Sequence, residues 1–252
     1  MFEGRLLDHK KDTPVNTIIV PFVFPDYIDG CVHSIWKHLD PAEHRLIVID
    51  NCLTHELMPN LADKCHLYIK SYRNLGCSKA WNFGISCSDT EYLTIMGDDT
   101  RIIHDKWWPE VYNHIEGDDL GVWFCHPCHL TQPMKVEGRL EPPIFDEAAW
   151  EETKRKSSDM PGRFNSLIMR RDVMSELECD PTFFFNEDLY PCEQVDGHFK
   201  NKVEDSGRHM QAIPFPVWHM RAMTYQSGKM PLHDAGKSHP SYLHAPNDRR
   251  NL

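Results

Sequence analysis

Apolar residues in this chain fall into short blocks separated by polar, turn-forming stretches, and the spacing inside the blocks alternates between two periods. Asn16 to Phe24 (NTIIVPFVF) is a nearly continuous apolar run and predicts a buried strand. From Tyr27 to Leu39, the residues Ile28, Cys31, Val32, Ile35, Trp36 and Leu39 recur at helical spacing. Arg45 to Asp50 (RLIVID) predicts a second strand, buried on both faces, and His66 to Lys70 a third. Cys77 to Cys87 predicts a helix. Tyr92, Leu93, Ile95 and Met96 then predict a buried strand. Asp105 is expected to cap a helix whose apolar face carries Trp107, Trp108, Val111, Tyr112 and Ile115, with Pro109 tolerated in its first turn. Gly121 to His126 (GVWFCH) reads as a further strand.

Strands alternating with helices imply right-handed crossovers and a mostly parallel α/β sheet flanked by helices. Beyond residue 126 the alternation loosens. Thr131 to Pro161 is polar and holds Pro133, Pro142, Pro143 and Pro161; it predicts a long loop with one short helix near Glu147 to Arg155. A loop of that length is more often functional than idle, and Trp150 is expected to contribute to a wall or lid. Phe164 to Met169 predicts a strand, Asp172 to Leu177 a short helix and Ala212 to His219 a late strand. The expected organisation is one α/β domain over 1–252, with a regular part at 16–126, a looser part at 127–227 and an irregular tail at 228–252.

Composition narrows the partners. The 252 residues carry a formal net charge of -11, a field that opposes nucleic acid phosphate, so no nucleic acid partner is expected. No apolar run approaches the roughly 20 residues of a membrane span. Met1 to Lys11 is polar and lacks a signal-peptide core, so a cytoplasmic location is expected. Nine cysteines, an odd number scattered through apolar segments, then read as reduced thiols. Cys125-His-Pro-Cys-His129 matches the C-x-x-C-H of haem attachment. It begins inside an apolar strand with no export signal upstream, so buried strand thiols are expected, ahead of a zinc site or haem.

The candidate chemistry lies where the strand at 92–96 ends in Gly97-Asp98-Asp99. In open α/β sheets ligands bind outside the carboxyl ends of the strands. Two adjacent carboxylates repel unless a cation lies between them, and a hard ion such as Mg2+ or Mn2+ commonly bridges carboxylates to a substrate diphosphate. A metal–phosphate site is one reading; a solvated turn is the other, because Gly-Asp-Asp is good turn chemistry.

Three more motifs accompany it. Val20-Pro21-Phe22 ends the first strand, Ile49-Asp50-Asn51 ends the second, and Asn74-Leu75-Gly76 precedes Ala80, Asn82 and Gly84. In this order and spacing they resemble the nucleotide-sugar-binding half of inverting glycosyltransferases with the GT-A fold, in particular glycosyltransferase family 2, over residues 16–105. The resemblance implies a GT-A-like, Rossmann-type sheet, with donor binding in 16–126 and the acceptor and catalytic base in 127–227. It implies a hexosyltransferase-type enzyme that moves a sugar from a nucleoside-diphosphate sugar to a glycan or other hydroxyl acceptor, with Mn2+ or Mg2+. The residues implied in donor binding are Pro21, Phe22, Val23, Asp50, Asn51, Arg73, Asn74, Gly76, Lys79, Gly97 and Asp98. Asp50 would accept the imide N–H of uracil, thymine or guanine. Asp99 and His219 are the implied metal ligands, and Gly97 stands where the family has a first Asp.

The second half carries a looser match. Phe164 to Met174 resembles the family segment before the catalytic acidic motif. Cys179-Asp-Pro-Thr-Phe-Phe-Phe185 is close to the family's FDxxFF. The implied general base comes from Glu187-Asp188 or from Glu193-Gln194-Val195-Asp196. Spacing from Phe183–Phe185 favours Asp188, and Asp196 remains open. Two other classes compete: a nucleotidyltransferase, although Val20 to Gly30 lacks a Gly-rich basic phosphate loop, and a non-catalytic nucleotide-sugar-binding module.

Overall fold

The apolar blocks of the first half become strands and helices close to where their periodicity puts them. The computed structural model describes residues 2–6, 14–51, 58–72, 74–128, 134–136, 139–142, 144–157, 166–177, 185 and 195–220. In chain order the elements are β1 (Phe2–Leu6), β2 (Asn16–Phe22), α1 (Pro25–His38), β3 (His44–Asp50), α2 (Pro59–Ala62), β4 (Leu67–Ser71), α3 (Gly76–Ser86), β5 (Tyr92–Met96), β6 (Thr100–Arg101) and α4 (Trp107–Ile115). The second part adds β7 (Val122–Cys128), β8 (Met134–Val136), β9 (Arg139–Glu141), α5 (Glu147–Ser157), β10 (Ser166–Arg170), α6 (Arg171–Glu176), α7 (Val195–Asp205) and β11 (Gln211–His219).

Among the described residues, nine strands form one mixed sheet in the order β1-β4-β3-β2-β5-β10-β7-β11-β6. The block β4-β3-β2-β5 is parallel throughout. β10 enters antiparallel to both β5 and β7, and β11 returns parallel to β7. The strands of the parallel block are apolar on both faces because helices cover both. On one side Ile18, Val20, Val48 and Tyr68 pack with α1 and α4; on the other Ile19, Ile47, Ile49 and Ile95 pack with α3, α6 and α7. α1 starts with Pro25 in its first turn, where a missing N–H costs nothing, and ends on Lys37 and His38, which complement the helix dipole. Gly84 lets α3 sit against β2: a Cβ there would lie 2.4 Å from Ile19 Cγ2.

The link between β5 and β6 dictates the curvature. Only Gly97 to Asp99 separate these strands, yet β10, β7 and β11 lie between them in the sheet. Four strand steps in a flat sheet need about 19 Å. The backbone from Met96 to Thr100 reaches about 14 Å at most. The sheet must therefore curl so that β11 and β6 return toward the end of β5.

Some expectations change. Asp105 does not cap α4: the cap position is Lys106, with no side-chain cap bond, and Asp105 Oδ1 lies 2.6 Å from His38 Nδ1 instead. Trp150 is no lid residue. It is fully buried, its ring stacks on His104 with centroids 4.9 Å apart, and its Nε1 donates to Glu110 Oε1 at 3.1 Å. The 131–161 stretch contains a β8–β9 hairpin as well as α5. Among the described residues, no helix is long and apolar enough to cross a membrane.

Candidate active site

Parallel pairing puts the carboxyl ends of β2, β3, β4 and β5 on one edge of the sheet. β7 and β11 end on the same edge, because Ser166 at the start of β10 pairs with both Met96 and Cys125, and Trp218 pairs with Cys128. The edge thus collects Phe22, Asp50, Asn51, Asn74, Gly97 to Asp99 and His219 from segments far apart in the chain.

At the end of β2, Pro21 and Phe22 pair with Ile49 and Asp50; Phe22 is buried and Val23, just past the strand, is half-buried. Asp50 is fully buried. The Tyr68 hydroxyl donates to its Oδ2, and Lys70 Nζ lies 3.1 Å from its Oδ1. Burial, reinforced by the hydrogen bond to Asp50, pushes the Tyr68 phenol well above its usual range. Lys70 is the register partner of Asp50 on β4, so strand pairing itself assembles this buried ion pair. A lysine inside the apolar run LYIKS was a visible signal for it. Asn51 donates its N–H to the Phe22 carbonyl at 2.8 Å and its Nδ2 to the Gly76 carbonyl at 3.5 Å; its Oδ1 is buried without a hydrogen-bond partner among the described residues. Asn74 Oδ1 accepts the Gly76 N–H at 2.9 Å, so this side chain is committed to starting α3. Gly76 has φ 72°, which explains glycine there. Lys79 is half-buried on the first turn of α3. Arg73 lies outside the described residues.

The Asp98–Asp99 turn is held at every carbonyl. Gly97 O accepts the Thr100 N–H at 3.1 Å and faces Cys31 Sγ at 3.7 Å. Asp98 O and Thr100 O both accept from Arg101 Nη1 at 2.9 Å, and Asp99 O accepts the Met220 N–H at 3.1 Å. This last bond and the β6–β11 pairing bring His219 to the turn, with its Nε2 3.3 Å from Asp99 Oδ1. Burial works to raise the Asp99 carboxyl, but the His219 contact and the Arg101 charge outweigh it and hold Asp99 below the usual range. Burial and the neighbouring Asp99 push half-buried Asp98 well above it. The two carboxylates thus differ in electrostatic character.

The pair Asp99–His219 fits one hard-to-borderline cation. Two neighbouring ligands of an octahedral ion at about 2.1 Å lie about 3 Å apart, close to the spacing found. A carboxylate oxygen with an imidazole nitrogen is a donor set for Mn2+. Among the described residues no group of three or more His, Cys, Asp or Glu is placed to hold a metal ion.

Of the base candidates, Glu187, Asp188 and Glu193 lie outside the described residues. Asp196 is the second residue of α7, an element signalled by Val195, Phe199 and Val203 at helical spacing; its side chain is outside the described residues. One residue of the FDxxFF-like segment is fixed. Phe185 is clamped by Asn82, whose Nδ2 donates to its carbonyl at 2.8 Å and whose Oδ1 accepts its N–H at 2.7 Å. The Phe185 ring packs 4.9 Å from both Trp81 and Phe199. In the C-x-x-C-H stretch, Cys125 is fully buried and burial pushes its thiol up to about 12, the character of a core thiol; the remaining side chains of the stretch lie outside the described residues.

The profile described as Glycosyl transferase family 2 matches residues 17–177. No curated protein matches the sequence. Among solved structures, S. aureus TarS 1-349 is 18% identical with a TM-score of 0.55, over 79% of this chain and 58% of that one. The same protein in complex with UDP-GlcNAc gives a TM-score of 0.54 at 18% identity, over 79% and 56%. The mannosyltransferase PcManGT from Pyrobaculum calidifontis, in complex with GDP-Man and Mn2+, is 12% identical with a TM-score of 0.57, over 86% and 60%. The chain spans less than two thirds of the length of each. The shared feature is the α/β fold, a mixed sheet with flanking helices of the GT-A type.

Proposed function

This chain belongs to glycosyl transferase family 2, and from that premise we propose that it transfers a sugar from a nucleoside-diphosphate sugar to an acceptor hydroxyl with inversion, using Mn2+ or Mg2+. The observation that carries the reading is the Asp99–His219 pair, 3.3 Å apart on the sheet edge that also holds Asp50 and Asn51.

In this reading Asp99 and His219 hold the metal, with Asp98 beside them. When bound, the ion offsets charge building on the leaving diphosphate. Lys79 and the amino end of α3, opened by Gly76, face the same diphosphate with positive potential. Pro21, Phe22 and Val23 border the base, and Asp50, kept in place by Tyr68 and Lys70, accepts its imide N–H. Asn51, Arg73 and Gly97 complete the donor cradle, which Asn74 shapes by starting α3. A carboxylate of the 187–196 segment, Asp188 beside Glu187 or Asp196 near Glu193, takes the proton of the acceptor hydroxyl. The hydroxyl oxygen bonds to the anomeric carbon as the bond to the diphosphate breaks on the opposite face. No protein nucleophile is needed, and the configuration inverts.

One sheet running through both parts supports a single domain, with donor binding in 16–126 and acceptor binding in 127–227. The buried thiols of Cys31, Cys65 and Cys125 suit a reducing, cytoplasmic setting. The test is release of nucleoside diphosphate from UDP-, GDP- and dTDP-sugars with Mn2+ and a panel of hydroxyl acceptors. Release that Asp99→Asn abolishes supports the reading. Nucleotide binding without release from any donor would instead mark a non-catalytic module.

A further inference from the structure

We propose that Arg101 is a positioning residue for the Asp98–Asp99 pair, and that the empty side of Gly30 is the slot that seats it. The proposal rests on the metal–diphosphate reading of that turn and adds to it a part that neither motif nor family match assigns.

Arg101 is 2% exposed. Its Nη1 donates to the carbonyls of Asp98 and Thr100, each at 2.9 Å, and its Nη2 donates to the Tyr27 carbonyl at 3.0 Å. Tyr27 lies in the first turn of α1, directly after the Phe22 to Phe24 segment at the end of β2. One guanidinium therefore staples the carboxylate turn to the start of the helix that follows the base-side strand. Among the described residues Arg101 makes no ion pair, and its Nε is buried without a hydrogen-bond partner. Burying a cation with so few partners is costly. A neutral side chain filling the same space would serve packing better. The arrangement makes sense where the planar fork is needed to hold carbonyls at fixed angles beside two carboxylates.

Gly30 supplies the room. A Cβ built there would lie 2.6 Å from Arg101 Nη2 and 3.0 Å from Cζ. Glycine in the middle of a helix is unfavourable on its own, so the position is set by this neighbour. The outer groups of a ligand shell commonly change metal affinity tenfold or more when removed. Arg101 acts at that distance: it touches the backbone of Asp98, not the ion or substrate.

Two substitutions test this by opposite routes. Arg101→Lys keeps the charge and loses the fork. Gly30→Ala keeps the arginine, improves helix propensity and displaces the guanidinium. In each, the Mn2+ concentration for half-maximal thermal shift by UDP or GDP is expected to rise about tenfold, beyond any drop in the metal-free melting temperature. Hydrogen exchange of peptides covering 97–101 and the Met220 amide is expected to quicken in both. Unchanged exchange in both variants overturns the proposal, whether or not nucleotide binds. So does an unchanged Mn2+ midpoint in both, since a purely structural arginine would lower only the melting temperature. A wild type without any Mn2+-dependent nucleotide shift would overturn the metal reading instead, and the exchange arm would still decide Arg101.

Discussion

Asn82 holds Phe185 by both of its backbone groups, with bonds of 2.8 and 2.7 Å across a sequence separation of more than a hundred residues. The side-chain amide completes for Phe185 the pairing that a neighbouring strand would provide. It ties Phe185, two residues before Glu187, to α3. Asn82→Ala removes both bonds to Phe185, which costs about 1–3 kcal/mol. Urea unfolding measures this. The expected kinetic signature is transfer reduced more than Mn2+-dependent UDP or GDP binding.

Asp99 and His219 are expected to fail differently. Asp99→Asn keeps the shape and removes the charge, and transfer should fall by more than about 100-fold. His219→Ala removes one donor, so the Mn2+ required for half-maximal activity should rise by about tenfold. Titrating Mn2+ at saturating donor separates the two. Equal Mn2+ midpoints for His219→Ala and wild type would remove His219 from the metal site.

The acid limb of stability should carry the imprint of His44. It is buried, and burial lowers its imidazole to about 4. Its Nδ1 lies 3.3 Å from Asn16 Nδ2, and its ring meets Trp108 edge-on at 4.9 Å. Between pH 4 and the ordinary histidine value of about 6.5, the unfolded chain binds a proton here that the folded chain does not. Stability is therefore fully present above about 6.5 and falls as the pH drops toward 4, by up to about 3 kcal/mol. Urea midpoints from pH 7 to pH 4 check this: His44→Leu should show a shallower decline than wild type.

Gly84→Ala should lift α3 from the sheet. The added methyl would sit 2.4 Å from Ile19 Cγ2 and 3.2 Å from Ile49 Cδ1, both on strand residues that are hardly exposed. Overpacking of this kind costs about 1–3 kcal/mol. A thermal melt tests it, and a melting temperature at or above wild type would show that the helix can slide.

Much of this molecule was legible in the chain, for specific reasons. β2, β3 and β5 are buried on both faces, so their apolar runs are unbroken, and the helices between them keep clean periodicity. Direction was not legible: Ser166 to Arg170 is as apolar as a parallel strand, and nothing local marks it as antiparallel. β6 has two residues and no pattern to detect. Among the site residues, Asp50, Asp99 and His219 stood out as polar groups at strand ends, and the structure brings the latter two together. The partners that hold the Asp98–Asp99 turn did not stand out. Nothing in the local sequence marks Arg101 or Gly30, and Asn74, implied in donor binding, has a side chain that starts α3. Each owes its role to a neighbour distant in sequence or to the geometry of a turn, and local pattern carries neither.

The three-residue link from β5 to β6 has a mechanical consequence. Because it crosses the chord of a curled sheet as a closed turn, Gly97 to Asp99 acts as a clasp between the end of β5 and the β11–β6 edge. Any change in the bend of β10, β7 and β11 is therefore felt by the same few bonds that aim Asp98 and Asp99.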